Sequence, residues 1–162
     1  MAEQPSGVNC KSVGGLKAKP KKTGKELTVG ERENTELVQQ GYQHFKNGDI
    51  QGLLGLLSED VEWKLFEIEG VPFSGMHRGP ERVGEFFSQI FETEEVLHFE
   101  PREFVAQGDK VVALGHYAWR VKSTGREYES DFVHVISVRD GKVARYQEFM
   151  DTAVVGGAYR GS

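Results

Sequence analysis

Between residues 37 and 57 apolar positions recur at helical spacing. Leu37, Val38, Tyr42 and Phe45 share one face with Gly41, and Asn47-Gly48 stops the run. Asn34 and Thr35, both favoured N-caps, stand ahead of it and predict where the helix begins. Asp49 is placed to cap a second, shorter helix whose Ile50, Leu53, Leu54 and Leu57 make one stripe, broken by Ser58-Glu59-Asp60. At Val61 the period changes to two. Val61, Trp63 and Leu65 alternate with Glu62 and Lys64, the signature of a half-buried strand. A loop over residues 67–78 leads to Gly79-Pro80. Val83, Phe86, Phe87, Ile90 and Phe91 then line a third helix with Pro80 at its first position.

From residue 95 onward helical spacing disappears. Runs of apolar and β-branched residues are separated by Gln107-Gly108-Asp109, Ser123-Thr124-Gly125 and Arg139-Asp140-Gly141, which predicts four strands in a meander. Helices first and strands afterwards define an α+β domain: three N-terminal helices packed on one face of a curved, mainly antiparallel sheet, closing a cone-shaped roll.

Composition adjusts this picture at the ends. At 162 residues and 38% hydrophobic content, one core is expected. Residues 1–30 carry six Lys against two acids and no aromatic residue, which predicts a disordered basic tail before a domain at 31–153 and a flexible C-terminus at 154–162. The net charge of −5 therefore conceals a more acidic domain, which argues against nucleic acid. One cysteine, Cys10, makes no internal disulfide and fits a reducing compartment. No apolar run has the length of a membrane span or the character of a signal peptide, so a cytoplasmic protein with no membrane partner is expected.

Three stretches carry a family likeness: GYQHFKNGDIQGLLGLLSEDVEW (41–63), FSGMHRGPERVGEFF (73–87) and FVHVISVRDGKVARYQEFMDT (132–152). They resemble the SnoaL-like polyketide cyclases and the ketosteroid isomerases, which share the cone-shaped fold of nuclear transport factor two. The resemblance implies a ligand pocket inside the cone and matches Glu148 to the cyclases' acidic residue. It departs from the isomerases at their active site: Leu65 occupies the place of their base, Gly41 that of their helix-one tyrosine with Tyr42 one residue on, and His134 that of their oxyanion-hole aspartate. Steroid isomerisation is therefore not expected. One fold hosts many chemistries, so the likeness alone assigns no reaction.

Counting residues gives the wall of the cone. Reading Arg139-Asp140-Gly141 as a three-residue loop pairs Val138 with Lys142, His134 with Tyr146, Phe132 with Glu148 and Ile136 with Ala144. His134, Phe132, Tyr146, Glu148 and Met150 then share a face. A two-residue loop instead brings Gln147, Phe149 and Asp151 beside His134; the match of Glu148 to the cyclases favours the first. In the preceding hairpin the more apolar set, Ala113, Gly115, Tyr117, Trp119 and Val121, is taken as inward, with Gly115 opposite His134 leaving space.

His134 and Glu148 are thus the candidate catalytic pair. In an apolar site burial raises a carboxyl's pKa and lowers an imidazole's, while pairing opposes both shifts, which suits proton shuttling near neutral pH in enolisation or aldol-type cyclisation. The alternative is a core histidine satisfied by a neighbour beside an ordinary rim carboxylate. Trp63, Tyr117, Trp119, Phe132, Tyr146 and Met150 are the candidate contacts for a small apolar ligand, with core packing as the competing reading. His77 is a lesser candidate, guarding the mouth. No HExxH, CxxC pair, Walker loop or GxGxxG is present, and no cofactor or metal is expected. The functions in contention are a cofactor-independent isomerase, cyclase or hydrolase, a non-catalytic small-molecule binder, and a dimerisation module. Leu114, Val133 and Val135 on the outer sheet face point to a homodimer in each case.

Overall fold

The structure, a computed structural model, describes residues 26–161. The basic tail expected over residues 1–30 lies outside the described residues up to residue 25. The first helix, α1, spans Val29–Lys46. Its start is set by a capping box: Thr28 Oγ1 accepts from the Glu31 amide at 3.1 Å and Glu31 Oε1 accepts from the Thr28 amide at 2.9 Å. The helix therefore begins ahead of Asn34 and Thr35, and neither caps it. Thr35 is buried within it, donating to the Glu31 carbonyl at 2.8 Å. Gly48, at φ +72°, ends the turn that follows α1.

Helix α2, Ile50–Leu54, is capped by Asp49, which accepts from the Gly52 amide at 2.9 Å. Leu57, expected on its stripe, opens strand β1, Leu57–Lys64. A short strand β2, Met76–Arg78, interrupts the expected loop before α3, Gly79–Thr93. Strands β3 (Glu94–Gln107), β4 (Lys110–Val121), β5 (Glu127–Arg139) and β6 (Lys142–Phe149) are the four predicted. A fourth helix, α4 at Thr152–Tyr159, stands where a flexible end was expected. It forms because Asp151 caps it, accepting from the Val154 amide at 3.1 Å, and because Val155 and Ala158 are buried.

The sheet runs β2-β1-β6-β5-β4-β3, antiparallel throughout except for β1 beside β6. It is curved and open, with the helices packed on it, so the fold is α+β. The turn joining β5 and β6 differs from the three-residue loop. Asp140 and Gly141, at φ +53° and +75°, make a two-residue turn of the hairpin-favoured mirror type, and Arg139 pairs with Lys142. Ala144 then bulges out between Val143, opposite Val138, and Arg145, opposite Ser137. The extra residue restores the parity a two-residue turn alone would have lost. His134, Tyr146 and Glu148 keep one face, yet Glu148 lies opposite His134 rather than Phe132, and Tyr146 opposite Ile136 rather than His134.

The same two-residue offset appears between β4 and β5. The inward face is the aromatic one, with Tyr117 and Trp119 buried, but Ala113 stands opposite His134 and Gly115 opposite Phe132. No void lies at Gly115. A Cβ there would sit 2.4 Å from both the Glu100 carbonyl oxygen and Phe132 Cζ, so the Phe132 ring occupies the space the missing side chain leaves.

Candidate functional site

Two strands place the central pair. His134 from β5 and Glu148 from β6 are 3% and 7% exposed, and His134 Nε2 stands 3.6 Å from Glu148 Oε2. That separation is too long for a hydrogen bond, and Nε2 has no hydrogen-bond partner among the described residues. Each member is held from outside the pair. Tyr42, reaching from α1, places its hydroxyl 2.6 Å from His134 Nδ1, and Tyr117 donates to Glu148 Oε2 at 2.5 Å. Burial, reinforced by the charge of Glu148, pushes the Tyr42 and Tyr117 phenols well above their ordinary range, so both stay protonated. When Tyr42 donates to Nδ1, the proton of a neutral imidazole sits on Nε2, facing the carboxylate and the interior.

Ring packing fixes the imidazole. Phe132 stacks on it at 4.2 Å and 18°, Phe99 stacks on Phe132 at 5.3 Å and 10°, and Tyr146 tilts against the other side at 4.8 Å. Trp63, paired with Tyr146 in the parallel register, stacks on it at 3.7 Å and 9°. These rings fill most of the cone. What remains is a cavity of about 100 Å³ bordered by Tyr42, Trp63, Tyr117, Tyr146, His134 and Glu148, with apolar residues of α1 and α3 closing it. An engineered apolar cavity of roughly 150 Å³ accepts benzene, so this one suits a compact ring of about five or six heavy atoms.

A smaller cavity of about 30 Å³ lies beyond Ile90 and shares Glu148, Tyr117 and Trp119 with the first. Glu94, the C-cap of α3, borders it at 2% exposure. Tyr128 donates to Glu94 Oε1 at 2.9 Å, and Tyr159 of α4 donates to Oε2. Burial pushes the Glu94 carboxyl up to about 7 against the lowering effect of the two phenols, with a smaller upward contribution from Glu148. The pattern of the sequence contains no signal for this group, because a glutamate at a helix end reads as a solvated residue.

Of the residues singled out from the sequence, Trp63, Tyr117, Trp119, Tyr146, His134 and Glu148 border the main cavity. Phe132 does not: at 1% exposure it is the packed backing of His134, with its ring between Phe99 and the imidazole. Met150 borders the smaller cavity instead. Leu65 likewise borders the smaller cavity. His77 donates to the Phe73 carbonyl at 2.8 Å and packs against Phe86, away from the pair. On the outer face, His116 is held by Asp131 and Glu129, and Glu62 by Arg78 and Arg145. The residue that sequence reasoning left unassigned is Tyr42. Its position on the apolar face of α1, one residue after Gly41, was the available signal.

Helices on a curved open sheet, enclosing polar groups at the end of an apolar cavity, define the class of cone-fold small-molecule domains. The chain belongs to the SnoaL-like domain family, whose family model matches residues 38–146. Among solved structures it is similar to a nuclear transport factor two-like protein from Burkholderia xenovorans, 37% identical, covering 80% of this chain and 98% of the other with a TM-score of 0.73. It is also similar to TerC, co-crystallized with polyporic acid, at 30% identity, 78% and 98% coverage and a TM-score of 0.71. A nuclear transport factor two-like protein from Burkholderia thailandensis, 23% identical over 78% of this chain and 97% of its own, shares the fold at a TM-score of 0.72. No curated protein matches the chain. Among the described residues, no helix is long and apolar enough to cross a membrane.

Proposed function

We propose that the chain is a cofactor-independent acid–base enzyme, an isomerase or cyclase, that acts on a small apolar carbonyl compound held in the 100 Å³ cavity. One observation carries this reading: His134 Nε2, buried and without a hydrogen-bond partner among the described residues, stands beside a buried carboxyl group at the wall of a mainly apolar cavity. In this reading Glu148 is the base. Its carboxylate takes a proton from the carbon next to the carbonyl; the C–H electron pair becomes the enolate double bond, and negative charge develops on the ligand oxygen. His134 Nε2–H donates a hydrogen bond to that oxygen, with Tyr42 fixing the ring's tautomer through Nδ1. Return of the proton to a different carbon completes an isomerisation; attack of the enolate carbon on a second carbonyl breaks that carbonyl's π bond, and its oxygen takes the proton back from Glu148 to complete a cyclisation. The likeness to TerC, co-crystallized with polyporic acid, supports a small-molecule ligand. In the same reading the protein works as a cytoplasmic homodimer joined through the outer sheet face, where Val105 and Phe149 are each 39% exposed; light scattering on the full chain reads that state.

Deuterium exchange into cyclopentanone, a compact enolisable ketone, tests the chemistry. The wild-type chain in heavy water is expected to exchange the protons beside the carbonyl faster than buffer. Glu148→Gln, which keeps an acceptor for Tyr117, is expected to slow that exchange by about 10²–10⁴-fold. Equal rates in both proteins would overturn the enzyme reading and leave a binding module.

A further inference from the structure

The indole of Trp63 contributes more than an apolar face. Trp63 is 6% exposed, and its Nε1–H has no hydrogen-bond partner among the described residues. Apart from Trp63 Nε1, His134 Nε2 is the other buried side-chain polar atom in this state among the described residues. Both residues border the same cavity, and both pack against Tyr146, Trp63 at 3.7 Å and His134 at 4.8 Å between ring centroids. A buried donor left without an acceptor loses its hydration with nothing in exchange, so two of them around one cavity are unusual in a folded domain. The rest of the indole is fully engaged, stacked on Tyr146 and set against the edges of Phe86 and Phe87. The ring is therefore held, and its N–H has no freedom to swing toward another acceptor.

We propose that Trp63 Nε1–H is a ligand-binding donor, and that the cavity selects a compact cyclic ketone or enone by hydrogen-bonding its oxygen. This deepens the proposed function and rests on it: the class of ligand is a compact ring bearing an exocyclic oxygen acceptor, about six heavy atoms in all. Indole offers only a donor, so the ligand must supply lone pairs; an alcohol acting solely as donor gains nothing there. Because the donor is already desolvated and fixed, a ligand with an acceptor removes an existing cost as it binds. An equally shaped hydrocarbon leaves that cost in place. Trp63 and His134 together then set which ring carbon is presented to Glu148, because the oxygen is the ligand's one anchored polar atom.

The test compares cyclopentanone with cyclopentane, which lacks the oxygen, on the full chain with its two tryptophans ¹⁵N-labelled. The Trp63 indole N–H resonance, identified by its absence from Trp63→Phe, is expected to move downfield with the ketone and to stay in place with the hydrocarbon. Affinity is expected to favour cyclopentanone by about tenfold or more in the wild type and by no more than about twofold in Trp63→Phe, which keeps a ring to stack on Tyr146. If both compounds bind alike and the resonance does not move, Trp63 is not the ligand's donor and this inference falls alone. If neither compound binds, the ligand cavity itself is refuted, and the inference falls with it. The resonance shift in the wild-type chain decides the matter even where the variant folds poorly.

Discussion

Replacing Phe132 by Ala is expected to lower stability by about 3–5 kcal/mol. Phe132 is 1% exposed, and it stacks on Phe99, His134 and Tyr117 at centroid distances of 5.3, 4.2 and 5.2 Å. Its ring also fills the space over Gly115, where the backbone has no side chain of its own to move in. Truncation removes the buried apolar area and leaves a void whose walls are strands of the sheet, which cannot collapse far. For a chain of this length the loss corresponds to a melting temperature lower by roughly 6–20 °C, read by calorimetry. His134 loses the ring that holds it parallel, so any chemistry at Nε2 should fall with stability. A change below about 1 kcal/mol would mean that Phe132 is not packed as described.

The second large effect is a pH dependence centred on Glu94. Its carboxyl stands at about 7 in the folded protein against 4.5 for the ordinary group, because burial disfavours the charged form. A carboxyl raised on folding binds its proton more tightly in the native state. Its contribution to stability is therefore fully present below 4.5 and is lost as pH rises through 7. The amount is about 3 kcal/mol. Denaturant unfolding of the wild type and of Glu94→Gln, which stays neutral, is expected to diverge by about that much between pH 4 and pH 8, with the variant relatively more stable at the alkaline end. Parallel pH profiles would show that Glu94 is not the buried, protonated group. Since Tyr159 of α4 donates to Glu94, the C-terminal helix is the element whose hold weakens as the carboxyl ionises.

Much of the fold was legible because periodicity reports burial directly. The stripe of Val83, Phe86, Phe87 and Ile90 and the alternation of Val61 and Trp63 are buried as their spacing implies. Ends were less legible, because caps compete. Thr28 with Glu31 forms a reciprocal pair that Asn34 and Thr35 cannot match, and α4 is short, so its three buried residues, Val155, Gly156 and Ala158, do not make a period. Register is legible in face and not in pairing, and between β5 and β6 the cause is local. The Asp140-Gly141 turn is one residue shorter than a three-residue loop, and the bulge at Ala144, which no local residue pattern announces, adds a second shift that restores the face but not the pairing. The central pair survived because parity, which decides the face, was unchanged. The groups that complete the site came from elements distant in sequence. Tyr42 and Glu94 meet their partners 92 and 34 residues away, and such contacts leave no mark on spacing.

Everything proposed for this domain depends on a small interior cavity with His134 and Glu148 at its wall. Diffraction from crystals equilibrated with cyclopentanone tests it most directly. Density for the ring is expected in the cavity bordered by Tyr42, Trp63, Tyr146, His134 and Glu148, with the ketone oxygen within hydrogen-bonding distance of Trp63 Nε1 or His134 Nε2. An interior closed around its own aromatic rings, with no ketone bound among them, would contradict it.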